Sequence, residues 1–235
     1  MINQKNMQGT IIRFKFNKRD GFKYLSHLDI SRIIKRALSR AGFRVAYSQG
    51  YNPKPKISFS PPTPLGLESL AEYADIVIDD NVDVNEFKRR INKELKDEMR
   101  VTAAKNLFIK TGSLMSEIAV SLYTFTLDTS YSNKRFLKGF HRDMESGLIK
   151  KSGFSNSIYD FEVIPSKEAS NIILLKLYGY AKIFKEKNNA FFKFNDFYPF
   201  LKEWLKEYRI NISNVKKEEL FLIAEDKIKT PVDVI

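Results

Sequence analysis

Cysteine is absent from this 235-residue sequence, and histidine occurs only twice, at His27 and His141. Without thiols the chain can form no disulfide, no thiolate zinc centre and no iron–sulfur cluster on its own ligands. Two histidines do not make a zinc site without heavy help from carboxylates, so neither a metal nor a cofactor is expected. No run of about 18 apolar residues is present, which excludes a membrane-spanning helix and a membrane partner. Residues 1–10 are polar and lack the apolar core of a secretory signal, so the expected location is the cytoplasm. Glycine-rich phosphate loops, a serine-centred elbow and paired-histidine metal motifs are missing as well.

Negative charge is scarce at the start of the chain. Residues 1–60 hold 13 Lys+Arg against 2 Asp+Glu, a net +11 out of the formal +12. Such one-signed charge repels itself and points to a polyanionic partner.

Hydrophobic residues make up 43% of the sequence and aromatics 13%, enough for packed cores. The length suits two domains of about 100–120 residues. Residues 11–17 alternate, with Ile12, Phe14 and Phe16 on one face: a strand. Ile30, Ile33, Ile34, Ala37, Leu38 and Ala41 mark a helix stopped by Gly42. Alternation returns at residues 56–60 and 72–79. A second helix follows around Val84, Phe87, Ile91 and Leu95, then a strand over 101–109. A boundary is expected at Lys110-Thr111-Gly112-Ser113. The second half alternates from Ile118, and its change of phase at Tyr123 suggests a bulge in that strand. Helix signals around Phe136–Met144 and Phe197–Tyr208, and strands at 159–163, 172–178 and 220–224, complete the pattern. Both halves read βαββαβ. The expected class is α+β, with two ferredoxin-like domains in tandem over 1–112 and 113–235.

Ser26 suits the N-cap of the first helix, with Asp29 at N3. Asp29, Arg32, Arg36 and Arg40 form a polar stripe opposite the apolar one, flanked by Lys35. Asp29 reads as a cap and as the i,i+3 partner of Arg32; the arginines read as phosphate contacts. The loop Tyr47-Ser48-Gln49-Gly50-Tyr51-Asn52-Pro53-Lys54-Pro55-Lys56 is stiffened by prolines. Its rings suit base stacking, its amides base edges and its lysines phosphates, although Tyr47 suits a core position equally well. Arg13 and Lys15 either add to the same field or are neutralised from a neighbouring strand by Asp75. Glu68, Glu72 and Asp75 form either a small acidic site or ordinary strand-edge solvation. Lys182–Asn189 reads as a mobile, solvated loop, and His141 as a surface residue.

Ser26, His27, Asp29 and Arg32, then Ser48, Gln49, Gly50, Asn52 and Pro53, then Glu68, Ser69, Glu72 and Asp75 together resemble the radical-SAM-linked family. This is an uncharacterised bacterial domain, often fused behind a radical SAM enzyme. The resemblance implies an accessory role beside such an enzyme, presenting tRNA or rRNA for modification. It supplies no catalytic residue and the sequence holds no radical SAM portion, so no activity of its own is expected. A looser similarity links the pattern to the repeat-cleaving endoribonucleases of CRISPR systems, with His27 as acid or base and Lys23 or Arg32 supporting the phosphate. A third alternative is an adaptor that docks its basic face on the radical SAM enzyme. The leading expectation is RNA binding through Lys23, His27, Arg32, Lys35, Arg36, Arg40, Gln49, Tyr51, Asn52, Lys54 and Lys56.

Overall fold

A computed structural model describes residues 9–108, 112–130, 134–150, 153–184, 186–224 and 227–233. It divides into two compact units, residues 1–117 with 229–235, and residues 118–228. The class is α+β.

In the first unit the alternating residues build β1 (Thr10–Lys18), whose Ile12, Phe14 and Phe16 are buried. A 3-10 turn over Asp20–Tyr24 leads to α1 (His27–Arg40). Its apolar stripe buries Ile30, Ile34, Ala37 and Leu38. Gly42 takes φ of 72°, and Phe43 N–H reaches back to the Leu38 carbonyl at 3.1 Å, closing the helix in a Schellman turn. Two strands follow, β2 (Ile57–Phe59) and β3 (Glu68–Ile78), then α2 (Val84–Glu94), β4 (Val101–Leu107) and a single turn α3 (Leu114–Glu117). Asp83 caps α2 by accepting from Asn85 and Glu86 N–H at 2.9 and 3.1 Å. The strands lie in the order β4-β1-β3-β2, each pair antiparallel. Both long helices bury their stripes against one sheet face: the Phe14 and Phe87 rings meet at 5.4 Å, with Ile34, Leu38 and Ile91 in the same core. Burial of each such side chain is worth about 1.5–3 kcal/mol.

The second unit repeats the element order. It comprises β5 (Val120–Asp128), α4 (Lys134–Asp143) running into a π-helical turn Met144–Ile149, β6 (Ile158–Pro165), β7 (Ile172–Tyr180), α5 (Phe194–Lys206) and β8 (Asn211–Ala224). The strand order is β8-β5-β7-β6, again antiparallel. Phe125, Phe140, Phe197 and Leu201 are among its fully buried side chains.

Three local expectations need correction. Strand β5 pairs with β7 in unbroken register, so the change of phase at Tyr123 is not a bulge in β5. Nearly every residue of β5 is buried, and a strand covered on both faces loses its alternation. The extra residues sit in β8, where the register to β5 shifts at Leu122/Tyr123 and again at Thr126/Leu127. Strand β8 also begins at Asn211 instead of residue 220, because pairing with β5 extends it through a polar stretch. The Lys182–Asn189 tract is pinned: Asn189 accepts from Phe184 N–H at 2.6 Å and donates to the Lys182 carbonyl at 2.8 Å. Lys182 and Lys187 lie over the Phe184 ring at 4.9 and 5.7 Å. Lys185, and Lys110 and Thr111 of the expected boundary, lie outside the described residues.

Candidate nucleic-acid interface

The motif residues at the start of α1 are held by one another. Ser26 Oγ accepts from Asp29 N–H at 3.2 Å and donates to the Asp29 carboxylate at 2.6 Å. Arg32 donates to the other carboxylate oxygen at 3.1 Å. The Ser26 hydrogen bond, reinforced by Arg32, lowers the Asp29 pKa below the usual carboxylate range. Asp29 is thus a cap and the partner of Arg32. His27 is exposed in the first turn, with its ring edge-on to Phe59 at 5.3 Å. It makes no hydrogen bond or ion pair among the described residues.

Residues 64–69 fold against this corner. Gly66 N–H donates to the Lys23 carbonyl at 2.9 Å, and Glu68 accepts from Lys23 Nζ at 3.3 Å and from Asp20 N–H at 3.2 Å. Two segments more than 40 positions apart, one just before α1 and one at the start of β3, therefore form one clasp. Ser69 is buried and accepts from Ala71 N–H at 3.2 Å. Glu72 is 7% exposed and hydrogen-bonded to Thr63, and Asp75 takes two bonds from Arg13 at 2.8 and 2.9 Å. Neither is strand-edge solvation. They sit on opposite faces of β3 and belong to the interior, so no acidic site unites them with Glu68.

The positive residues are less uniform than their segment suggests. Arg13 is 1% exposed, paired with Asp75 and within 3.5 Å of Glu117. Burial opposes its charge, yet the Asp75 hydrogen bond and attraction raise its pKa above the ordinary guanidinium value. Arg40 is bound to Glu94 at 2.9 Å, and Arg44 to Asp80 at 3.0 Å. Lys35, Arg36, Lys54 and Lys56 are exposed and make no ion pair with any described residue.

The loop after α1 is an ordered hairpin. Tyr47 lies opposite Pro55, Ser48 N–H donates to the Lys54 carbonyl at 2.8 Å, and Ser48 Oγ accepts from Lys54 N–H at 3.0 Å. Its base is stitched to β3 through Ala46 to Val77 at 2.8 Å and Val77 to Lys56 at 3.1 Å. Gly50 takes φ of 126°, a conformation side chains resist, and turns the chain at the tip. Gln49, Tyr51, Asn52 and Pro53 are all exposed there, Tyr51 completely. Tyr47 is 54% exposed, which overturns a core position for it. A groove of about 310 Å³ on one side of Pro55–Ile57 is lined by Tyr47, Lys35, Ser39 and Arg44. Another of about 490 Å³ is lined by Ser48, Lys54, Lys56 and Asp75. Lys35 and Tyr47 thus share one groove, and Lys54 and Lys56 the other, whereas His27, Arg32 and Arg36 line neither. Arg44, which the sequence reading left out, borders the first groove; its place one residue beyond the turn closing α1 was the available signal.

Among the described residues no group of His, Asp or Glu is arranged to hold a metal ion, and no helix is long and apolar enough to cross a membrane. The sequence profile of a family described as an uncharacterised protein conserved in bacteria (DUF2344) matches residues 12–156, more than half of the chain. The chain belongs to this family. The match spans the whole clasp and the hairpin. No curated protein matches the chain. Solved structures overlap it at low similarity, two of them as follows. One is an unknown protein from Galdieria sulphuraria, with 8% identity and a TM-score of 0.26, covering 89% of this chain and 98% of its own. The other is provisionally called a glycine cleavage system transcriptional repressor, with 6% identity and a TM-score of 0.27, covering 90% and 99%. Overlaps at that level carry no argument about this family member.

Proposed function

We propose that this protein binds RNA through its N-terminal unit and serves a modification enzyme as a cytoplasmic accessory, without catalysis of its own. The observation that carries the reading is the pinned hairpin. A fully exposed Tyr51 at its tip stands between Gln49 and Asn52, and Lys54 and Lys56 follow without carboxylate partners. An aromatic ring offered to solvent on a stiff support loses little entropy on stacking, and base–aromatic stacking is worth about 1–3 kcal/mol per base. Lysines next to it supply the phosphate attraction, and Lys35 with Tyr47 extends the surface towards α1. The radical SAM enzyme is the partner that the motif resemblance favours. We read each unit as a ferredoxin-like domain; in the first, the helices cover one sheet face and the β2 edge presents the hairpin.

The test is fluorescence anisotropy with labelled tRNA across a salt series. Wild-type protein is expected to bind with an affinity that falls steeply with salt. Lys54→Glu with Lys56→Glu is expected to weaken binding strongly while leaving the melting temperature unchanged. Undiminished affinity in that variant removes the proposal.

A second reading rests on a separate observation. Tyr24, Leu28 and Leu65 are 64%, 67% and 68% exposed around the clasp, and the Tyr24 ring faces Gly66. Exposed apolar side chains grouped in this way suit a protein partner, the adaptor role. Purifying the protein with and without ribonuclease treatment distinguishes the two, since only a protein-mediated complex survives the nuclease.

A further inference from the structure

Helix α2 carries a second concentration of positive charge, outside the segment to which the sequence assigns it. Asn85, Lys88, Arg89, Asn92 and Lys93, with Arg100 from the turn into β4, line an open groove of about 440 Å³. Four of the carboxylates nearby are already engaged. Glu86 lies 3.4 Å from Arg90, Glu94 holds Arg40 at 2.9 Å, and Asp97 holds Arg100 at 2.7 Å. Asp83 caps the helix. Arg90 turns away to donate to the Ala41 carbonyl at 3.0 Å and to cover the Phe43 ring at 4.2 Å. Lys88, Arg89 and Lys93 are left without an ion pair among the described residues. Arg89 and Lys93, one helical turn apart, repel each other. The floor is rigid, because the Asn92 amide exchanges two hydrogen bonds with the Val101 backbone at 2.8 and 2.9 Å.

We infer that this groove takes the sugar–phosphate backbone of a base-paired RNA stem, while the hairpin takes the unpaired nucleotides beside it. The inference rests on the RNA-binding reading and names the substrate class: a stem-loop, not a bare single strand. Three features select the backbone. The groove is open, as contact with a phosphate backbone requires, and it offers cations with the neutral Asn85 amide. None of the large exposed apolar side chains lies between residues 84 and 100. A bilayer therefore finds nothing to insert and a protein partner no anchor. No exposed aromatic stands in the groove to stack an unpaired base, whereas paired bases need none, their backbone being the accessible part.

The experiment compares a labelled stem-loop with a short unpaired oligonucleotide of the loop sequence, on wild-type protein and two variants. Arg89→Glu with Lys93→Glu is expected to weaken the stem-loop about tenfold and to reduce its log–log salt slope by about 2, leaving the unpaired oligonucleotide unchanged. Lys54→Glu with Lys56→Glu is expected to weaken both RNAs. Should charge reversal perturb folding, Arg89→Gln with Lys93→Gln is expected to give the same selective loss at smaller size. An α2 variant that binds the stem-loop like wild type, while the hairpin variant does not, overturns the inference and leaves the RNA-binding reading standing. So does an α2 variant that loses both RNAs equally. Wild-type protein that binds neither RNA overturns the two together.

Discussion

The guanidinium of Arg13 is gripped by both oxygens of Asp75, at 2.8 and 2.9 Å, across two neighbouring strands. The pair is directly opposed in the β1–β3 register and almost sealed from water. Arg13 also lies 3.5 Å from Glu117 and donates to the Pro231 carbonyl at 3.3 Å. A charge desolvated this far needs every one of these acceptors. The leading cation of the basic segment is therefore an interior residue.

Removing Asp75 leaves that charge buried with its main partner gone, which typically costs about 3–5 kcal/mol. Asp75→Ala is expected to lower the urea midpoint by a corresponding amount, and Arg13→Met combined with Asp75→Leu to recover most of it. A single variant as stable as wild type would contradict the account.

Gly179 lies in β7 against a core aromatic: a Cβ there meets Phe192 ring atoms at 2.4 and 2.5 Å. Phe192 is itself buried and has no room to retreat. Gly179→Ala is expected to destabilise the protein by about 1–3 kcal/mol through overpacking, measured by thermal melting. The outcome that sinks this is a gain in stability from the lost glycine entropy.

Tyr178 and Tyr208 are both pushed up to about 12, first by burial and then by hydrogen bonds to Glu162 and Asp143. Their folded-state values exceed the unfolded value near 10. Their contribution is therefore full below about pH 10 and is lost as pH rises towards about 12. Ultraviolet titration of phenolate is expected to show a late-ionising fraction that shrinks in Tyr178→Phe and again in Tyr208→Phe. If all the absorbance develops near pH 10, the environments described for these two hydroxyls are wrong.

Tyr51 makes no contact that holds the fold, so its replacement separates stacking from stability. Tyr51→Ala is expected to reduce affinity for unpaired RNA by about 1–3 kcal/mol with no change in melting temperature, and Tyr51→Phe to retain it. Equal losses in both variants would assign the effect to the hydroxyl and not to the ring.

Local periodicity made β1, α1 and α2 legible, because one buried face imposes a rhythm of 2 or 3.6 on the residues. The Ser26–Asp29–Arg32 cap was legible for the same reason: its partners are three positions apart. The state of the basic segment was not. Asp75 was legible as an alternative partner of Arg13, but Arg40 and Arg44 find their carboxylates 54 and 36 positions later, so segment charge and surface charge differ. The prolines signalled a stiff loop, but not its backbone bonds to Val77, which no side-chain pattern encodes. Strand β5 misled because full burial erases alternation, and the α2 groove went unseen because Glu86 and Glu94 balance it on paper while pairing with Arg90 and Arg40, which do not line it.

The return of residues 229–235 to the N-terminal unit carries a consequence for synthesis. Arg13 emerges from the ribosome 218 residues before the Pro231 carbonyl it donates to. The unit that starts first is thus completed only after the second has been made, and until then its most deeply placed cation waits one acceptor short.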